Sequence, residues 1–207
     1  MVFDYLFPGV IPGTAVDIPA DVVARWEQAY VPAVVLALVT RPALARELVR
    51  ITGAPIERED VVGIAVTAVG ILWYNVIGTA NAQERLGGQP FDNSTRVYSG
   101  STDDAALNAG VTRYTADPAA VAAMSEFETS GNLQVPVTTL HTTGDPIVPL
   151  EQQPLYAAKV AAAGATSRLT QATVERYGHC NFEASEVLGA FSSLMDRITP
   201  PVAAMIP

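Results

Sequence analysis

Between Gly131 and Ile198 the hydrophobic period of the chain switches three times, and that switching restricts the fold more than any other stretch does. Leu133 to Leu140 is rich in Val, Leu and Thr and reads as a buried strand. It is expected to end in the turn His141-Thr142-Thr143-Gly144-Asp145-Pro146, which leaves the Asp145 carboxylate just past the strand's C-terminal end. Leu150 to Ala163 reads as a helix closed by Gly164. A second strand is expected over Ser167 to Val174, followed by the loop Tyr177-Gly178-His179-Cys180-Asn181. The last helix places Val187, Leu188, Phe191, Leu194, Met195 and Ile198 at the spacing of one buried face.

Strand, helix, strand in this order implies a parallel pair, and both strands then deliver their following loops to the same sheet edge. Open α/β sheets bind ligands outside the carboxyl ends of their strands. An Asp that orients a His, and a His that moves protons, are two parts of a nucleophilic triad. Here the chain resembles the serine α/β-hydrolase superfamily of esterases, lipases and peptidases. The matching residues are Gly144-Asp145-x-x-Val148-Pro149 after the first strand and Gly178-His179 after the second. The order Ser, acid, His along the chain is that superfamily's order. The resemblance covers about the last third of the chain and rests on the two motifs together. It implies the fold class, α/β with a helical cap over residues 1–130 and a core segment over 131–207 that holds the last two parallel strands. It also implies that Asp145 is the triad acid and His179 the base. The early sheet, with the strand that carries the nucleophile, is expected to lie upstream of Met1.

A nucleophile is the missing part. Such a site needs a serine on a tight strand-to-helix turn, Gly-x-Ser-x-Gly, and no serine in the chain has that context. Tyr98-Ser99-Gly100-Ser101-Thr102 comes nearest but lacks a glycine two positions to either side of a serine. Ser99 and Ser101 therefore read as a polar loop and a helix start before Asp103-Asp104. Asp145 alone would read as a turn aspartate, and His141 as a structural histidine at a strand end. Cys180 reads as a small buried residue pointing away from His179, since neighbours in an extended loop point apart. Two histidines, a single cysteine and no HExxH pattern offer little to a metal, and no Gly-rich phosphate loop or other cofactor motif is present.

The first part of the chain reads as mostly helical. Phe3 to Gly13 is apolar but broken by Pro8 and Pro12, a loop or edge segment. Asp17 to Tyr30 reads as a capped helix with Val22, Val23, Trp26 and Tyr30 on one side, and the uniformly apolar Val31 to Leu38 follows it. Arg41 to Thr52 reads as a helix opened by Pro42 and closed by Gly53. Another starts near Arg58-Glu59-Asp60 and runs to Gly87-Gly88. Within it, Val61 to Ile77 is apolar but shorter than the roughly 20 residues of a membrane span, so a helix buried on most sides is expected and no membrane span. Asp103 to Tyr114 and Asp117 to Phe127 are further helices, the second capped by Asp117 with Pro118 at its first position. Trp26, Tyr30, Trp73, Tyr74 and Phe127 are candidates to line a pocket for an apolar ester or acyl substrate.

With 207 residues, 49% hydrophobic and 16% charged, the chain is long and apolar enough to bury a sizeable core. A net charge of −9 argues against nucleic acid, since no basic patch is available to neutralise phosphates. The first residues carry neither a basic segment nor a small-residue cleavage site, so no signal peptide is read there. The function expected from the resemblance is hydrolysis of an ester, and secondarily an amide, through an acyl-enzyme, with this chain alone inactive or feebly active. The alternatives are a non-catalytic module of the same scaffold that binds an apolar ligand or partner, and an interaction domain. An incomplete sheet exposes an edge, and self-association or pairing with a missing N-terminal half would cover it.

Overall fold

The structure is a computed structural model and describes residues 1–198; residues 199–207 of the expected core segment lie outside the described residues. The chain divides into two compact units, Met1–Glu128 and a second that begins at Thr129.

The first unit is built from helices. Helix α1 (Val2–Leu6) forms where a loop or edge segment was expected: Phe3 and Phe7 stack at 5.1 Å between ring centroids and are buried, and Pro8 stops further winding. The expected Asp17–Tyr30 helix is broken. Helix α2 (Ala20–Ala24) stops at Arg25, a π-helical turn spans Trp26–Tyr30, and α3 (Val31–Thr40) continues from it. Asp17 does not cap α2; its own N–H is held by Thr14 Oγ1 at 3.0 Å, and Pro19 takes the cap position. Trp26 stacks on Trp73 at 5.7 Å and on Tyr30 at 6.4 Å, whereas Val23 faces solvent.

Helix α4 (Pro42–Thr52) starts at a proline and ends at Gly53 in the left-handed region, φ 65°, as its sequence implies. Helix α5 (Val61–Leu86) begins with the Asp60 carboxylate accepting the Gly63 N–H at 2.8 Å and ends at Gly87, φ 68°. Gly63 is required there, because a Cβ would lie 2.3 Å from the Arg58 carbonyl oxygen. The helix is not buried on most sides. Ile64, Ala65, Ala68 and Val76 face the interior, but Val62, Val66 and Tyr74 are exposed, and 33% of its most apolar stretch is buried. Among the described residues it is the single unbroken helix long and apolar enough to cross a membrane, by length and composition alone. Helices α6 (Asp104–Gly110) and α7 (Pro118–Ser125) are capped by the carboxylates of Asp103 and Asp117. The former ends at Gly110, before the expected Tyr114. The core joins α1, α3, α4, α5 and α6 through Phe7, Val34, Leu38, Ala45, Ile64 and Leu107.

The second unit is a βαβ arrangement followed by a helix, α/β in class. Strand β1 (Val137–Gly144) pairs in parallel with β2 (Leu169–Tyr177), and α8 (Gln152–Ala162) connects them. Both strands sit later in the chain than the pattern suggested. Pro136 has no N–H to contribute to a ladder, so β1 begins after it and continues through His141-Thr142-Thr143-Gly144 instead of turning there. Gln153 of α8 ties the two strands together: its side-chain oxygen accepts from Thr139 Oγ1 at 2.8 Å and Gln171 Nε2 at 2.6 Å. Helix α9 (Ala184–Ile198) packs against β1. Its apolar stripe is not a buried face, however: Leu188 and Phe191 are 65% and 57% exposed, and Val187, Met195 and Ile198 also face solvent.

Candidate active site

The register of the pair decides where its C-terminal ends meet. His141 lies opposite Thr173 and Thr142 opposite Val174, but Gly144 lies opposite Tyr177, so β2 takes one extra residue in a bulge. The approach is close here: a Cβ on Gly144 would lie 3.1 Å from Arg176 O and Tyr177 Cα, so a larger residue would push the strands apart by a few tenths of an ångström. Gly178, at φ 106°, then turns the chain; its N–H donates to Gly144 O at 3.1 Å, and its carbonyl accepts from Thr142 Oγ1. The two strand ends are thus held together by one backbone bond and the Thr142 hydroxyl, independently of Asp145 and His179.

Asp145 and His179 follow these two ends directly. Asp145 Oδ2 lies 2.7 Å from His179 Nδ1. The second carboxylate oxygen, Oδ1, accepts the N–H groups of Ile147 at 2.8 Å and Val148 at 2.9 Å. Asp145 is therefore both a turn aspartate and the partner of a histidine, with one oxygen committed to each role. Its side chain is 4% exposed. Burial pushes the carboxyl pKa up, but the Val148 N–H, the His179 imidazole and the Ile147 N–H outweigh it and hold it below the ordinary value. An ionised carboxylate accepts at Nδ1, so the imidazole proton resides on Nδ1 and the lone pair of the neutral ring on Nε2. His179 is 41% exposed. The imidazole is thus partly open to solvent while the carboxylate it contacts is shielded.

The His179 loop is held from behind by Arg176. Its guanidinium contacts Glu186 at 2.6 and 2.9 Å, and it also donates to the Asn181 carbonyl at 2.9 Å. Asn181 Nδ2 closes the loop onto Tyr177 O at 2.9 Å. Arg176 first, and the Glu183 N–H second, hold the Glu186 carboxyl below its usual value.

Cys180 corrects the sequence expectation. It is exposed, not buried, and its Sγ lies 3.7 Å from His179 Nε2. The reason is local: Cys180 has φ 49°, so the loop is not extended and neighbouring side chains need not diverge. His141 is buried with Nδ1 2.8 Å from Thr142 O and no hydrogen-bond partner on Nε2. It shares no hydrogen bond with the Asp145–His179 pair. Ser101 is a turn residue, its Oγ accepting the Asp103 N–H at 2.8 Å. Among the described residues no serine hydroxyl is hydrogen-bonded to His179, and no cluster of three or more metal-ligating side chains occurs.

The five expected pocket aromatics do not share one pocket. Trp26, Tyr30 and Trp73 belong to a stack, Phe127 is exposed, and Tyr74, itself exposed, lines a small surface pocket with Gln89, Pro90 and Phe91. A cavity of about 360 Å³ does exist within the helical unit, but aliphatic residues of α4 and α5 form much of its wall. No family model matches the chain, and no curated protein or solved structure matches it either.

Proposed function

We propose that the second unit carries the acid–base half of a serine α/β-hydrolase-type site, acting on an ester and secondarily an amide. The observation that carries this reading is the 2.7 Å Asp145 Oδ2–His179 Nδ1 contact at the C-terminal ends of two parallel strands, on a ring that is 41% exposed. In this role Asp145 fixes the ring tautomer and stabilises the imidazolium. His179 takes a proton from the attacking hydroxyl or water and returns it to the leaving alcohol. The helical unit would correspond to the cap of that superfamily.

The test is hydrolysis of p-nitrophenyl butyrate by the full chain, combined with fluorophosphonate labelling and peptide mapping. Slow turnover that His179→Ala lowers by about 10²-fold, the usual worth of a positioned base, supports the reading. Turnover that His179→Ala leaves unchanged overturns it.

A second reading is favoured by the Cys180 Sγ–His179 Nε2 distance of 3.7 Å. Here the thiol gives its proton to His179 and attacks the acyl carbon itself, the imidazolium protonates the departing alcohol, and His179 then deprotonates a water that cleaves the thioester and returns the proton to the thiolate. Cys180→Ala separates the two: it abolishes turnover under the thiol reading and preserves it under the first.

A further inference from the structure

We propose that the cavity of the helical unit is a binding site for a single-chain aliphatic carboxylate, with Arg96 receiving the carboxylate and α4 and α5 enclosing the chain. The inference does not rest on the acid–base pair, which belongs to the other unit.

Shape and lining come first. The cavity encloses about 360 Å³, near the lower end of the roughly 300–1,000 Å³ of small-molecule sites. That size suits one flexible chain and not a multi-chain lipid. Leu48, Ile64, Ala68, Ile71, Leu72 and Val76 provide an aliphatic wall. Such a wall gains from every methylene it removes from water, about 0.8 kcal/mol each; among the polar side chains that also line the cavity, Thr52 and Asn75 are already bonded to carbonyls of their own helices.

Charge then selects the head group. The charged side chains on the lining are Asp4, Asp92 and Arg96. Both carboxylates already have partners. Asp4 Oδ2 lies 2.9 Å from the Met1 nitrogen. Asp92 accepts from the Ser94 hydroxyl at 2.7 Å, the Ser94 N–H at 2.9 Å and the Ala116 N–H at 3.0 Å. The Ser94 hydroxyl first, then the Ala116 and Ser94 N–H groups, hold its carboxyl below the ordinary value. Arg96 differs. Its guanidinium lies over the Tyr98 ring at 5.6 Å and has no carboxylate within salt-bridge distance among the described residues.

Arg113, on the same ring at 5.2 Å, makes the contrast plain. Its guanidinium is spent on the Asn93, Arg96 and Asn108 carbonyls and the Asn108 side chain, so it is structural. Arg96 is exposed, so it stands where the cavity meets solvent, with its fork of donors free for a carboxylate.

The experiment is titration of the full chain with decanoate and, separately, 1-decanol, by calorimetry or native mass spectrometry. Saturable binding of decanoate is expected. Arg96→Gln should weaken decanoate about tenfold, the worth of a lost charge-assisted hydrogen bond, while leaving decanol nearly unchanged. Ala68→Phe fills the cavity and should abolish both; Ile71→Phe serves the same purpose should Ala68→Phe fail to fold, with folding checked by circular dichroism. His179→Ala should leave binding intact, so failure here is separable from failure of the hydrolase reading. The proposal is overturned by the absence of saturable decanoate binding to the folded wild type. It is equally overturned by binding indifferent to a folded cavity-filling variant, or by Arg96→Gln weakening decanol as much as decanoate.

Discussion

The two units solve opposite problems. The helical unit buries a shared apolar core between α1, α3, α4, α5 and α6 yet leaves a void beside it. In the second unit α9 buries none of its side chains, and the strand ends are ordered by a polar lattice of Gly144, Gly178, Asp145, Arg176 and Glu186. In the first, the potential for function lies in what packing fails to fill. In the second it lies in what hydrogen bonding over-determines. Substitutions should therefore act on different observables in the two.

The sharpest way to break this contrast is in the helical core. Leu38 is fully buried, and Leu38→Ala should cost about 2–5 kcal/mol, the range for buried aliphatic truncations. Both tryptophans of the chain, Trp26 and Trp73, belong to this unit, so the fluorescence melt reports it directly. A loss below about 1 kcal/mol would mean that the core is loose enough to collapse around the deletion, and the void would then owe less to shape than to slack packing.

A smaller effect is expected from protons, and it should appear in the other unit. Asp145 has its carboxyl held low in the folded state. A group of this kind stabilises the fold fully above its unfolded value, about 3.9 for aspartate, and that stabilisation is lost as pH falls through the folded value. Melting temperature should therefore fall with pH below about 4. Asp145→Asn should flatten that fall without changing how the tryptophan signal responds to pH. His179 Nδ1–H, followed by nitrogen-edited NMR, provides the local readout. An identical pH response in wild type and variant would show that the Asp145 carboxylate is not the group whose protonation matters.

How much of this could be read from residue order differs between the units for the same reason. Asp145 and His179 were legible because each follows an apolar run and a glycine, and parallel strands carry their following loops to one edge. Gly53, Asp60, Gly87 and Asp117 were legible because capping is local chemistry. The bulge that aligns Gly144 with Tyr177 was not, since one extra residue leaves no compositional trace. Nor was the exposure of Cys180, which depends on a single positive φ. The cavity was invisible in principle: Ile64, Ala68 and Val76 carry the same spacing whether the helix facing them fits closely or leaves a gap. Arg96 sits in a polar, turn-rich stretch with no pattern that singles it out.

The last comparison concerns α9, where the helical period was right and the burial inferred from it was not. Val187, Leu188, Phe191, Met195 and Ile198 recur as a stripe, yet Phe191 is 57% exposed. Periodicity reports that a helix has an apolar face; it does not report what covers that face. Phe191→Ser should accordingly change stability by no more than about 0.5 kcal/mol, the range for surface substitutions away from special features. Leu38→Ala differs from it by several-fold because one side chain has neighbours to lose and the other has water. A cost above about 1 kcal/mol for Phe191→Ser in chemical denaturation would mean that this stripe is covered in solution. The second unit would then rest on hydrophobic burial as much as the first does.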